Sequence, residues 1–379
     1  DVNFSNANLK NADLSNSKLQ NTILSDAILT GTNLSNVVLT NTILTDVDMS
    51  DATLTINDRT YANLNGNDLS GKDLVGANLL GVDLSGKDLG NANLTGAYLS
   101  GKNLAGTIFK GANLSHANLA GADLSGNDLS NANLTNAILS EADLSNANLT
   151  NAILTGADLS KTNLGSVNLT GADLTNVILR ASDLTNANLT GVKLSDMNLT
   201  RTKLIGVDLS GRDLSYTNLT YADLTGADLS NAVLTNTLLV DTNLSGANLR
   251  NADLSNSKLQ NTILTDAVLT GTNLSNVVLT NTILTDVDLS DAILTINDRS
   301  YANLDGNDLS GRDLVGVNLL GVDLSGKDLK DANLTGAYLS GKDLAGTIFK
   351  GADLSYANLA GADLSGKDLS NADLTNAIL

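Results

Sequence analysis

The 379-residue chain has no cysteine, no proline and no tryptophan, a single histidine, and only 3% aromatic residues. Without cysteine there is no disulfide framework, no thiolate nucleophile and no cysteine-held zinc. The lone His116 has no second histidine or cysteine to complete a zinc site or an activated nucleophile. Zero proline suits a backbone in which nearly every NH donates to a neighbouring segment, because proline removes a donor. The scarcity of aromatic volume argues against an irregular globular core, whose gaps are filled by large flat side chains. No apolar run is long enough to span a bilayer as a helix, and no signal or basic targeting segment is visible. The 42% of hydrophobic residues must therefore be arranged some other way.

Leucine supplies the arrangement. From Phe4 to Leu379 every fifth residue is one beat of a register that never slips, and 70 of its 76 beats are leucine. The other six are Phe4, Met49, Arg59, Phe109, Arg299 and Phe349. A period of five fits neither the helical 3.6 nor the strand 2, so each short unit buries its face only by stacking on its neighbours. Around each beat the residues repeat as well, as in GADLSGNDLSNANLTNAIL from Gly121 to Leu139. A small residue stands two places before the leucine (Ala7, Ala12, Ala27, Val37, Ala122), Asn or Asp just before it, Ser or Thr after it, then Gly or Asn.

This pattern resembles the pentapeptide repeat family, whose motif reads A-(D/N)-L-(S/T)-(G/N), and the resemblance covers the whole chain. It implies an all-β fold: a right-handed quadrilateral parallel β-helix, or solenoid, with one pentapeptide per side and four per coil. The 76 slots then make a single rod of about 19 coils, about 90 Å long at the strand spacing. The resemblance also points the leucine and the residue two places before it inward and leaves the other three facing water. Gly and Asn tolerate the left-handed backbone of a sharp corner.

Residues 1–139 align without gaps to 241–379 and differ at 19 of 139 positions. The larger unit is therefore 240 residues, or 12 coils, with a first copy at 1–240 and a partial second copy at 241–379, continuous with it. Both ends fall in register and are expected to be cuts through a longer array.

Three departures from the motif are candidate sites. At Arg59 and Tyr61, and again at Arg299 and Tyr301, the beat is lost. A buried arginine without a partner is costly, so an outward loop is expected there, either a contact loop or an irregularity carried along by duplication. Lys or Arg occupies the small inward position in slots such as those of Lys72, Lys87 and Lys102, with Asn at 67, 127 and 307. These long side chains are expected to lean out from a corner with the ammonium beside the following Asp, and to change the local turn. Finally, one of the four sides carries Val38, Tyr98, Ile138, Ile178, Leu238, Val278, Tyr338 and Ile378 at its outward position. That interrupted apolar stripe is a candidate lateral contact face, or else a set of single exposed residues favoured by β propensity.

The net charge of −19 argues against direct nucleic-acid binding. The many Asp residues alternate with Asn at one repeated position, as a solvated ladder would, and match no metal or phosphate motif. The chain therefore reads as a non-enzymatic structural protein without cofactor or membrane insertion, self-associating laterally or end to end, in a repetitive surface or extracellular protein. The resemblance adds an alternative, since some family members look like DNA to type II topoisomerases, which would place the chain in the cytoplasm with a topoisomerase as partner. Acids spread over several faces, and no visible terminal helix, count against it. A third reading is a scaffold presenting the loops at Arg59 and Arg299.

Overall fold

The computed structural model describes residues 2–49, 51–56, 62–63, 69–80, 82–284, 287, 292–296, 302–303, 309–312, 314–317, 319 and 324–379. The slot Ala122-Asp123-Leu124-Ser125-Gly126 contains the logic of the rest. The Ala122 amide closes a tight turn on Leu119 O at 3.0 Å, and the Asp123 amide donates back to Lys102 O at 2.8 Å. The Leu124 and Gly126 amides donate forward to Asp143 O and Ser145 O at 2.7 and 2.8 Å. The fifth donor, the Ser125 amide, goes to the Asp123 side chain at 3.0 Å. All five are engaged, as a stacked backbone requires. Proline is excluded, but for a reason that differs from the sequence expectation: three of the five amides reach a neighbouring coil, while the turn and a side chain take the other two.

The turn also dictates its corner residue. Among the described residues the second residue after the beat has positive φ at every corner except Ile56 and Ile296, which lie in extended strands; it is +67° at Gly126 and +58° at Asn131, for example. Glycine adopts this region freely and Asn tolerates it, which is why the motif ends in one or the other.

Slots stack with a spacing of 20 residues. Parallel bridges join Asn113 to Asn133, Asn118 to Ile138, Asp123 to Asp143 and Asp128 to Asn148. Four slots thus make one coil with a rung on each of four sides. In the 20-residue register the bridged positions fall into four series, named here by their first members: side A for 3, 23 and 43, side B from 8, side C from 13 and side D from 18. Where pairing lengthens it makes short strands: β1 (Asn33–Val37), β2 (Thr42–Ile43), β3 (Thr53–Ile56) and β4 (Ala62–Asn63). Their counterparts 240 residues on are β5 (Asn273–Val277), β6 (Thr282–Ile283), β7 (Ile293–Ile296) and β8 (Ala302–Asn303). The pairs β1–β3, β2–β4, β5–β7 and β6–β8 are all parallel.

The chain forms two compact units, Asp1–Lys193 and Leu194–Leu379. This spatial division falls elsewhere than the end of the first 240-residue sequence copy. Within unit 1 the isolated rungs run from the Asn3–Ile23 bridge to Asn168–Asn188, and within unit 2 from Asn198–Asn218 to Asn358–Ile378. Each unit is filled by its own leucines, with Leu124, Leu129 and Leu134 fully buried in the first and Leu209, Leu214 and Leu219 in the second. Phe109 and Phe349 occupy beats and are buried too.

At the second inward position polar residues donate to leucine carbonyls, either three residues back in their own turn, as Ser182, Thr202 and Thr217 do to Leu179 O, Leu199 O and Leu214 O, or one coil back. Thr42, Thr162 and Thr262 each donate a hydroxyl to a leucine carbonyl 23 residues earlier: Leu19 O at 2.6 Å, Leu139 O at 2.9 Å and Leu239 O at 2.6 Å. Those carbonyls already accept a turn amide, and the hydroxyl takes the remaining lone pair. Asn127 donates likewise to Leu104 O at 2.9 Å, but its Oδ1 has no partner although the residue is only 2% exposed.

The inward lysines correct an expectation. Lys72 Nζ donates to Met49 O at 2.7 Å and Ala52 O at 3.5 Å, and Lys102 Nζ to Leu80 O at 3.1 Å and to Val82 O. In both slots the ammonium is held by main-chain carbonyls of the preceding coil, and Lys102 is followed by Asn103, so no following Asp is there to meet it. The turns are also unchanged, since the Lys72, Lys87 and Lys102 amides donate to Leu69 O, Leu84 O and Leu99 O as alanine does elsewhere.

Candidate interaction surface

The motif's Asp or Asn and its Ser or Thr form one local device. In slot after slot a side-chain oxygen accepts the amide two residues on, and often the hydroxyl too: Ser125 Oγ to Asp123 at 2.7 Å, Thr135 Oγ1 to Asn133 at 2.6 Å, Thr175 Oγ1 to Asp173 at 2.6 Å. The hydroxyl first and the amide second hold the Asp123, Asp173 and Asp353 carboxyls below the usual 3.8. Between coils the same oxygens accept side-chain amides, as Asp128 does from Asn148 at 3.2 Å and Asp228 from Asn248 at 3.0 Å. The acidic rows are therefore structural acceptors, a role that the reading as a solvated ladder missed. Among the described residues no cluster of His, Asp and Glu is placed to hold a metal ion. No helix among them is long and apolar enough to cross a membrane.

Arg59, Tyr61, Arg299 and Tyr301 lie outside the described residues. The eight residues of the candidate lateral face all occupy rungs of side D. In unit 1 Val38 bridges Lys18, and the series Asn78, Tyr98, Asn118, Ile138, Asp158, Ile178 is linked rung by rung. In unit 2 Leu238 and Val278 flank Lys258, and Tyr338 and Ile378 flank Asn358. Ile138, Ile178, Tyr338 and Ile378 are exposed, while Val38, Tyr98, Leu238 and Val278 are half-buried. No two apolar rungs in these series are neighbours, so the stripe is interrupted at every step. Exposed isoleucine is not special to this side, for Ile23 lies on side A, Ile28 on B and Ile153 on C.

The aromatic residues are what set side D apart, and reading rungs alone overlooked part of them. Tyr216, Tyr221 and Tyr356 project from the two corners that border this side and are 63%, 52% and 63% exposed. The Arg201 guanidinium lies over the Tyr221 ring, 4.8 Å from its centroid. His116 stands at the corner position that Tyr356 holds in the second copy. In unit 1, at corners bordering side D, Lys161 pairs with Glu141 at 2.8 Å, both well exposed. The signal that would have found these residues is the position of every tyrosine in the 20-residue register.

Comparison with known proteins agrees with the geometry. A family model described as pentapeptide repeats (8 copies) matches residues 1–55, 60–126, 128–295 and 328–379 in overlapping segments. The crystal structure of HetL, a pentapeptide repeat protein involved in heterocyst differentiation regulation from the cyanobacterium Nostoc sp. strain PCC 7120, is 35% identical. It covers 55% of this chain and 91% of its own, with a TM-score of 0.34. A pentapeptide repeat protein from the Arabidopsis thaliana thylakoid lumen is 41% identical over 30% of this chain and 68% of its own, with a TM-score of 0.19. Trypsin-treated QnrB1, a plasmid-mediated fluoroquinolone resistance protein, is 18% identical over 46% of this chain and 88% of its own, with a TM-score of 0.28. The search of curated proteins finds no match. With the motif, the 20-residue coil and the family model in agreement over nearly its whole length, the chain belongs to the pentapeptide repeat family of right-handed quadrilateral β-helices.

Proposed function

We propose that the chain is a non-enzymatic structural segment, an acidic β-solenoid that self-associates within a repetitive surface or extracellular protein. The observation that supports this reading is the complete use of backbone donors in a slot such as residues 122–126, which lets slots be added in series with no residue reserved for chemistry. The 240-residue duplication is a whole number of 20-residue coils, so each residue keeps its position in the register. Electron microscopy of the intact source protein, with its mass measured alongside, tests the reading. Filaments with a longitudinal repeat of about 58 Å, which is 12 coils at the strand spacing, are expected. Discrete unassembled particles would overturn it.

A second reading rests on the charge of −19: an acidic solenoid that occupies the DNA site of a type II topoisomerase. Inhibition of gyrase supercoiling at stoichiometric protein is its expected result, and unchanged supercoiling would remove it.

A further inference from the structure

We infer that side D is the surface through which two copies of this chain pair; the inference rests on the proposed self-association and names its site. Three separate observations single this side out. Among the described residues, all five tyrosines (Tyr98, Tyr216, Tyr221, Tyr338 and Tyr356) and the histidine fall, in the 20-residue register, on its rungs or on the two corners that border it. Tyrosine and arginine are the residues that most often anchor protein interfaces.

The second observation is charge. Counted over the whole sequence, the rungs and the positions after their leucines sum to zero on side D, against −8 on side A, −5 on B and −7 on C. The inward lysines and arginines also avoid the slots of side D and occupy only those of the other three.

The third observation is backbone conformation. Nine described residues other than Gly, Asn and Asp have positive φ, and eight of them stand at the corners bordering side D, with Ser166 the exception. Tyr216, Tyr221 and Tyr356 hold φ of +59°, +61° and +58°, a conformation that glycine or asparagine occupies at most other corners. A large side chain in that region is disfavoured by the backbone and persists where its outward reach is used.

The charge distribution selects a second copy as the occupant. Two chains of −19 repel each other across sides A, B and C and meet without that penalty only at D. A cationic partner would be drawn to the acidic sides instead, and nucleic acid is repelled by them. Within unit 2 one bordering corner column carries Arg201 and Asp241, opposite charges two coils apart. An antiparallel, two-fold pairing of side D with itself therefore offers each the complementary sign. The patch of Tyr98 and His116 in unit 1 recurs as Tyr338 and Tyr356 in unit 2, so both units have an aromatic patch on this side.

Sedimentation velocity on the full chain, from about 1 to about 200 µM, tests the inference. A side D variant combines Tyr216→Gly, Tyr221→Gly, Tyr338→Ser and Tyr356→Gly; glycine suits the corner conformation, and circular dichroism verifies the fold. The control combines Ile263→Ser and Ile283→Ser, two side A residues each 37% exposed. Wild type is expected to dimerise, more tightly as salt rises from about 50 to about 500 mM because the acidic sides are screened. The side D variant is expected to weaken dimerisation at least about tenfold and the control to leave it unchanged. Dimerisation that survives the side D changes, or falls equally with the control, overturns side D while leaving self-association standing. A wild type that stays monomeric over the whole range overturns both.

Discussion

Single residues show where the repeat is imperfect. Asn127 Oδ1 is buried without a partner, whereas threonine at the same inward position in Thr107 makes one hydroxyl bond to Leu84 O at 2.7 Å and leaves nothing over. Asn127→Thr is therefore expected to stabilise the fold by about 1 kcal/mol in denaturant unfolding, the lower end of the cost of an orphaned polar group. The corner tyrosines hold a different reserve. At concentrations where the chain is monomeric, Tyr216→Asn with Tyr221→Asn should raise the thermal midpoint by relieving part of the unfavourable backbone conformation, about 1 to 2 kcal/mol per residue; a fall in the midpoint under those conditions would mean that these rings stabilise the monomer. Neither feature stands out from the motif itself. Asn at 127 looks like one more tolerated substitution until its carbonyl partner is located, and a tyrosine at a corner looks like any exposed residue until φ is known.

At the scale of the slot, burial and hydrogen bonding make separate contributions. Leu124 is fully buried between coils, so Leu124→Ala is expected to cost about 2 to 5 kcal/mol, read as a lower urea midpoint. The bonds from Ser125, Thr175 and Ser355 lower the pKa of Asp123, Asp173 and Asp353 in the folded state. A lowered folded pKa means that the carboxylate form favours folding. That contribution is complete above the unfolded value near 3.8 and is lost as pH falls through the folded values. Thermal midpoints should thus hold steady from neutral pH to about 5 and fall below about 4. Replacing the three aspartates by asparagine, which keeps the acceptor oxygen, should flatten the acid side of that curve; an unchanged slope there would remove the explanation. The period of five, the buried leucine and the Gly or Asn corner were all legible in the sequence, because each reflects one position's own steric or apolar need. The bond from the Ser or Thr to the Asp or Asn was not, because it joins two positions that were both read as facing water. The direction of the Lys72 and Lys102 ammonium groups was misjudged because the carbonyls they reach belong to another coil.

For the molecule as a whole, like charge is an opposing force added to the conformational entropy of folding. Carboxylates stack directly in rungs such as Asp123–Asp143, Asp208–Asp228 and Asp353–Asp373, closer together than the screening length of about 8 Å at physiological salt. Raising sodium chloride from about 20 to about 500 mM is therefore expected to raise the melting temperature, and Asp143→Asn should reduce that dependence. The 240-residue duplication was plain in the sequence, whereas the division into units at Lys193 and Leu194 was not, since the leucine register runs through that point unbroken. The four-slot coil has one further consequence, for the lengths by which such a gene can grow or shrink. Gain or loss of five residues keeps the leucines in phase, yet it turns everything downstream by a quarter circle and carries the tyrosines off side D. Only insertions and deletions in multiples of 20 leave the facing intact, so unequal recombination between the 240-residue copies can lengthen or shorten the protein without moving a single side chain to another side.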